Sequence, residues 1–268
     1  MFVNWGIEAR KWQVLVSLLQ KISFFRAFKA VFTGQSLAVN TPNRVGEYIG
    51  RVVYLDDGNR LKGIALTVVG SMSQTIVTLV VGIICLILTK NFILDETHHM
   101  EGLSSLWLDG LLYMVVFGTV GMVIFYYKLS WLTKLFEKLP IVKKYSYLIE
   151  KLEDFHWKEL TRILSLSFTR YVVFVIQFVL LLQVFGVEGE VWQAACLVSV
   201  FFLVLAVVPT ISSAELGVRS YAAVQLFSII SANKLGILYT AAGIWLINLI
   251  IPALMGSLFV LGIKLFKK

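Results

Sequence analysis

Apolar residues run almost unbroken over residues 63–89, 106–127, 163–186, 191–208 and 236–263, separated by short polar segments rich in helix breakers. A helix rises 1.5 Å per residue and needs roughly 17–25 apolar residues to cross the hydrocarbon of a bilayer, so 63–89, 106–127, 163–186 and 236–263 predict membrane-spanning helices, while 191–208 runs to Pro209 as the first arm of a broken segment. No stretch alternates with the period of two that marks a transmembrane barrel. The expected fold is all-α, a polytopic helical membrane protein. The first stretch, residues 1–20, is more mixed, with Asn4, Glu8 and Arg10 interspersed among apolar positions. Its polar side is predicted to face protein rather than lipid. Residues 27–41 are too short and too mixed to cross, and Pro42 stops them because proline disfavours α geometry in the residue before it. A second short helix is predicted from about Val45 to Leu55, followed by the turn Asp56-Asp57-Gly58-Asn59.

Composition agrees with this pattern. The chain is 58% hydrophobic and 15% charged, with a mean hydropathy of +0.83, which excludes an ordinary soluble domain. Its net charge of +8 could suggest nucleic acid, yet the bases cluster between apolar runs. Lys21, Arg26 and Lys29, then Arg60 and Lys62, then a basic amphipathic connector over 128–162 divided by Pro140, then Lys264, Lys267 and Lys268 mark the cytoplasmic side. The charge therefore reports orientation, with a cytoplasmic C-terminus and no nucleic-acid partner. The loop holding Asp95, Glu96 and Glu101 and the turn Glu188-Gly189-Glu190 read as outside. Cys85 and Cys196 lie inside apolar runs without metal-ligand spacing, and His98-His99 reads as solvated rather than as a metal site. There is no Walker A loop, HExxH, GxSxG or dinucleotide fingerprint, so no enzyme activity, cofactor or metal is expected.

Two interruptions share one plan. Pro42-Asn43-Arg44-Val45-Gly46-Glu47 leads to Arg51, and Pro209-Thr210-Ile211-Ser212-Ser213-Ala214-Glu215-Leu216-Gly217 leads to Arg219. In each, a proline and a polar turn precede a glutamate with an arginine four residues later, which places both side chains on one helix face. A surface pair of this kind contributes only about 0.3–0.5 kcal/mol, whereas an arginine near the bilayer centre costs roughly 2.5–3.5 kcal/mol. At depth these groups must therefore face a hydrated or protein-lined cavity; lying shallow, they would be solvated interfacial pairs. By the positive-inside pattern the hairpins enter from opposite faces. That predicts two inverted repeats, each with a broken re-entrant helical hairpin, over 1–90 and 106–264 of a single membrane domain spanning 1–268. The second repeat owns one more span, so the first is expected to lack its opening helix. Candidate substrate-binding residues are Arg44, Glu47, Arg51, Ser212, Ser213, Glu215 and Arg219, with Pro42, Gly46, Pro209 and Gly217 shaping the backbone. Ser212-Ser213 and Thr41-Pro42-Asn43 can cap the half-helices that follow, whose N-termini suit a phosphate.

At Asn4-Trp5 with Arg10 and Trp12, at Pro42-Asn-Arg-Val-Gly-Glu47, and above all at Glu215-Leu-Gly-Val-Arg219, the chain resembles the transmembrane region of the lysylphosphatidylglycerol synthase family, the flippase-like integral membrane proteins. The resemblance covers nearly the whole chain. It implies a helical protein of the bacterial cytoplasmic membrane whose relatives move charged lipids between leaflets. The soluble aminoacyl-transfer domain of bifunctional members has no counterpart here, so lipid synthesis is not expected. The usual glycine pair before the second motif reads Ser212-Ser213-Ala214, and a Glu-Arg pair common in the long span is Gly70-Ser71. Together these readings predict translocation of a phosphate-bearing lipid, of phospholipid or polyprenyl type, without nucleotide hydrolysis and with membrane lipids as partners. The alternatives are a membrane scaffold for a lipid-modifying or envelope glycosyltransferase, and a small-solute secondary carrier.

Overall fold

The computed structural model describes residues 1–39, 41, 44–93, 105–128, 157–207 and 215–261, and of residues 105–109, 111 and 215 the backbone alone. The elements are α1 (Phe2–Val16), α2 (Phe24–Val39), α3 (Gly46–Val52), α4 (Arg60–Phe92), α5 (Ser105–Tyr127), α6 (Trp157–Val184), α7 (Val191–Val207), α8 (Glu215–Phe227), α9 (Lys234–Trp245) and α10 (Ile251–Leu261). A 3-10 turn at Asp57–Asn59 leads into α4, and a π-helical turn at Leu246–Ile250 joins α9 to α10. The fold is all-α as the apolar runs predict, and no strand occurs among the described residues. Three continuous helices, Asp57–Phe92, Trp157–Val184 and Lys234–Leu261, are long and apolar enough to cross a membrane. The apolar segments Leu112–Tyr127 and Val191–Val207 are shorter.

The chain forms two compact units. The first comprises Met1–Gln74, Met122–Arg170 and Ile247–Lys268, and the second Thr75–Gly121 and Tyr171–Leu246. In the first unit α2 is the central element, packed by α1, α3 and α10. Small residues set these contacts. A Cβ on Gly50 would stand 2.6 Å from the Gly34 Cα, and one on Gly256 would stand 2.0 Å from the Phe32 carbonyl oxygen, so α3 and α10 touch the backbone of α2 itself. Aromatic rings fill the remainder: Phe32 stacks on Phe28 at 4.3 Å and meets Trp5 at 5.6 Å.

The hairpin between α2 and α3 turns where Pro42 predicts a break. The Thr41 hydroxyl donates to the Leu37 carbonyl at 3.0 Å and its oxygen accepts the Gly46 N–H at 2.7 Å, so one side chain closes α2 and caps α3. A Cβ on Gly46 would stand 2.3 Å from the Leu37 carbonyl oxygen. Gly46 thus permits contact with protein backbone at the hairpin. Arg44, between them, adopts the left-handed conformation with φ 57°, which a non-glycine residue holds only when its surroundings impose it.

The second unit has an apolar core in which Phe178, Phe201 and Phe227 meet at 5.4–6.1 Å. Gly82 lets α4 approach α7, since its Cβ would stand 2.7 Å from that of Leu203. Gly186, at φ 66°, ends α6 in a Schellman turn: the Val187 N–H reaches the Leu182 carbonyl at 2.9 Å and the Gly186 N–H that of Gln183 at 3.1 Å. Asn233 then caps α9, accepting the Gly236 N–H at 2.9 Å while its amide donates to the Phe185 and Gly186 carbonyls.

Several expectations lie outside the described residues: Asn40, Pro42 and Asn43; the loop with Glu96, His98, His99 and Glu101; most of the connector, including Pro140; Pro209, Ser212 and Ser213; and the closing lysines.

Candidate functional site

The densest chemistry sits on α1. Positions 4, 5, 8, 11, 12 and 15 recur at helical spacing, so Asn4, Trp5, Glu8, Lys11, Trp12 and Leu15 share one face, and all are buried. Polar and aromatic residues are thus inside together. Arg10 points the other way, exposed and donating to Gln13.

Glu8 is the centre of this face. Its carboxylate lies 2.8 Å from the Lys11 ammonium, 2.9 Å from the Arg51 guanidinium and 3.1 Å from that of Arg170. Arg51 also pairs with Glu47, four residues earlier on α3, as the motif spacing predicts. It passes close against Gly34, where a Cβ would stand 2.9 Å from the Arg51 Cγ. Each Glu8 cation has further partners. Arg170 donates to Asn4 Oδ1 at 2.8 Å and Gln74 Oε1 at 3.2 Å, and Asn4 donates to Asn248 Oδ1 at 3.3 Å in the π-helical turn. Lys11 donates to the Gly70 carbonyl and the Ser167 hydroxyl, and Ser167 in turn shares a 2.8 Å bond with Ser73. Two tryptophans lie against the guanidinium groups, Trp5 5.5 Å from Arg170 and Trp12 5.8 Å from Arg51.

The π-helical turn that brings Asn248 to this network has a covalent cause. Pro252 has no N–H to donate to the carbonyl four residues earlier, and the helix widens over Leu246–Ile250 just before it.

Burying an ion costs several kcal/mol, which is recovered only with close partners and satisfied hydrogen bonds. Here three cations, Lys11, Arg51 and Arg170, face two carboxylates, Glu8 and Glu47, leaving the cluster one unit positive. Arg44 adds a fourth cation nearby, donating to Gln35 Oε1 at 3.0 Å. The arrangement holds no nucleophile paired with a base and no grouping of three or more potential metal ligands among the described residues. Its excess positive charge would attract an anion.

Of the residues expected from the motifs, the structure brings together Arg44, Glu47 and Arg51, with Gly46 at the hairpin contact. Arg51 is 3% exposed, so it is not a solvated interfacial cation. The second motif falls in the other unit. Glu215 begins α8, the space around Gly217 is open to 4 Å, and Arg219 is partly buried. The expectation that the polar side of residues 1–20 faces protein holds for Asn4 and Glu8 and fails for the exposed Arg10, while Lys11 and Arg170 join the site without being among the residues that the motifs single out. The signal was present: Asn4, Glu8 and Lys11 are spaced i, i+4, i+7 on the side of the two tryptophans, and Arg170 stands alone inside an apolar run, where an ionisable residue marks a site. On α4, Ser73 and Gln74 bind a neighbouring helix, Ser73 through Ser167 and Gln74 through Arg170.

Compared with known families, residues 1–256 match the family model described as Lysylphosphatidylglycerol synthase TM region. No curated protein and no solved structure matches the chain.

Proposed function

The chain belongs to the lysylphosphatidylglycerol synthase transmembrane family, as a multi-pass membrane protein, and from that premise we propose that it translocates a phosphate-bearing lipid between leaflets. The observation that carries the proposal is the burial of Arg51 at the α2–α3 hairpin, inside an ionic cluster that keeps one positive charge in excess. A structural ion cluster is better served by equal charges, since each uncompensated buried ion is costly. A site that receives an anionic head group is served by a surplus.

In this reading the head group is drawn to the hairpin cations while the acyl or prenyl tails remain in the bilayer. Arg44 and Arg51 act in the first motif, and Ser212, Ser213 and Arg219 in the second. Glu47 and Glu215 neutralise the arginines when no substrate is present. The two hairpins are mirrored halves of an inverted repeat in a bacterial cytoplasmic membrane, with the C-terminus inside. No nucleotide-binding motif occurs in the sequence, so movement follows a gradient.

Reconstitution into vesicles carrying a fluorescent phospholipid tests this directly. Arg219→Ala should slow lipid transfer at least several-fold relative to wild type at equal protein density. Equal rates would reject the mechanism.

A further inference from the structure

Among the described residues of the first unit, five buried N–H donors lack an acceptor, against two buried carboxylate oxygens, Glu8 Oε2 and Glu159 Oε2, that accept no hydrogen bond. Trp5 Nε1, Trp12 Nε1, Gln35 Nε2, Arg44 Nε and Arg51 Nε are all shielded from solvent and have no acceptor among the described residues. Buried donors are ordinarily paired, and each exception calls for a missing partner. Every one of these five is an N–H group that can only donate. Both Glu8 oxygens, by contrast, already touch cations. Three of the donors belong to the α2–α3 junction: Gln35 receives the Arg44 guanidinium, and Arg51 passes the neighbouring Gly34. Unmet donors and surplus positive charge therefore coincide, and both are cancelled by one species, an oxyanion.

We propose that Arg51, Arg44 and Gln35 frame a site for a phosphate oxyanion, with Glu8 and Glu47 as resident counter-ions that compete with it for Arg51. The inference rests on the lipid-transport reading only for the source of the phosphate, which would be a lipid phosphodiester rather than the free ion. A phosphodiester carries one negative charge, which matches the surplus of Lys11, Arg51 and Arg170 over Glu8 and Glu47 and leaves the charge of Arg44 in excess. Its two free oxygens accept several N–H groups at once, and a planar guanidinium suits them better than an ammonium. The carboxylates then have a second role. They hold Arg51 in place while the site is empty and lower its affinity for the anion, so that a bound head group can leave.

The test uses the full chain in a phosphate-free detergent and buffer, titrated separately with inorganic phosphate and with dihexanoylphosphatidylglycerol. Thermal unfolding and calorimetric titration are the readouts. Wild type should be stabilised by at least one probe. Glu8→Gln should unfold at a lower temperature without ligand, yet bind that probe roughly tenfold tighter, because one competing charge near the site is gone. Arg51→Lys, which keeps the charge and loses the Nε–H, should bind several-fold more weakly. A response to the lipid alone assigns the site to a head group, and a response to inorganic phosphate assigns it to the free ion. Either supports an oxyanion site. Should Glu8→Gln fail to fold, Glu47→Gln, whose carboxylate is partly exposed, takes its place with the same expected tightening. No response of wild type to either probe, or equal affinities in wild type and the carboxylate variant, would overturn the proposal. Lipid transfer measured on the same preparations separates the two readings. Binding without transfer sinks transport and leaves the site standing, and Arg219-dependent transfer without binding does the reverse.

Discussion

Neutralising Glu8 and neutralising Lys11 should have very different consequences, although the two form one ion pair at 2.8 Å. At about 3 Å and an effective dielectric of ~20, each contact of Glu8 with a cation is worth about 5–6 kcal/mol before desolvation and repulsion among the cations are subtracted. Glu8→Gln removes three such contacts and raises the cluster from one excess positive charge to two. Breaking a buried pair in this direction costs about 3–5 kcal/mol. In a chain of this size that corresponds to an unfolding midpoint lower by roughly 6–20 °C. Lys11→Met takes away one contact, leaves Glu8 with two arginines and brings the charge sum to zero. It orphans neither acceptor, because the Gly70 carbonyl and the Ser167 hydroxyl both keep Ser73. The methionine fills nearly the same volume, so its cost should be at most about 1.5 kcal/mol. Thermal unfolding of the purified variants, followed by tryptophan fluorescence, measures both. If Lys11→Met loses as much as Glu8→Gln, the cluster is a local pair and the charge sum has no bearing on its stability.

Gly50→Ala should destabilise by about 1–3 kcal/mol or more, because the atoms in the way are backbone and cannot turn aside; the unfolding midpoint reports it. Gly217→Ala, on α8 with open space around it, should leave stability unchanged or raise it by up to about 1 kcal/mol. Lipid transfer lost in that variant at full stability would mark the glycine as functional. Asn233→Ala should cost about 1–2 kcal/mol through its cap on α9, visible as faster hydrogen exchange at Gly236. Ser73→Ala should cost about 1 kcal/mol through its bonds to Gly70 and Ser167, again read from thermal unfolding.

Much of the fold was legible because its determinants are local. Apolar runs mark where the apolar helices lie, three of them long enough to cross a membrane, and Pro42 and the Asp56–Asn59 turn bound α3. The Glu47–Arg51 pair follows from i, i+4 spacing alone. The rest of the site was hidden because it depends on partners far apart in sequence. The sequence turns Glu8 toward protein but does not show that Arg51 and Arg170 meet it there from α3 and α6. Gly46 marks a close backbone approach, but only the fold shows that the Leu37 carbonyl is what approaches. Helical periodicity could have placed Asn4, Glu8 and Lys11 on the tryptophan face, since none of these needs a tertiary contact to be predicted. The choice of Glu8 as the shared counter-ion does.

The π-helical turn at Leu246–Ile250 accommodates an extra residue within a helix, and one residue is about 100° of rotation around the axis. Before the turn, Ile237, Ala241 and Ile244 are aligned for the core of the second unit; after it, Gly256 is aligned for α2. The widened turn absorbs the extra residue locally, and Pro252, which has no N–H to give to the Asn248 carbonyl, is the covalent reason that it lies there. Excising one residue at 246–250 would close the widened turn into an ordinary α-helix and displace Asn248 from Asn4, altering the polar network of the first unit without touching a charged group.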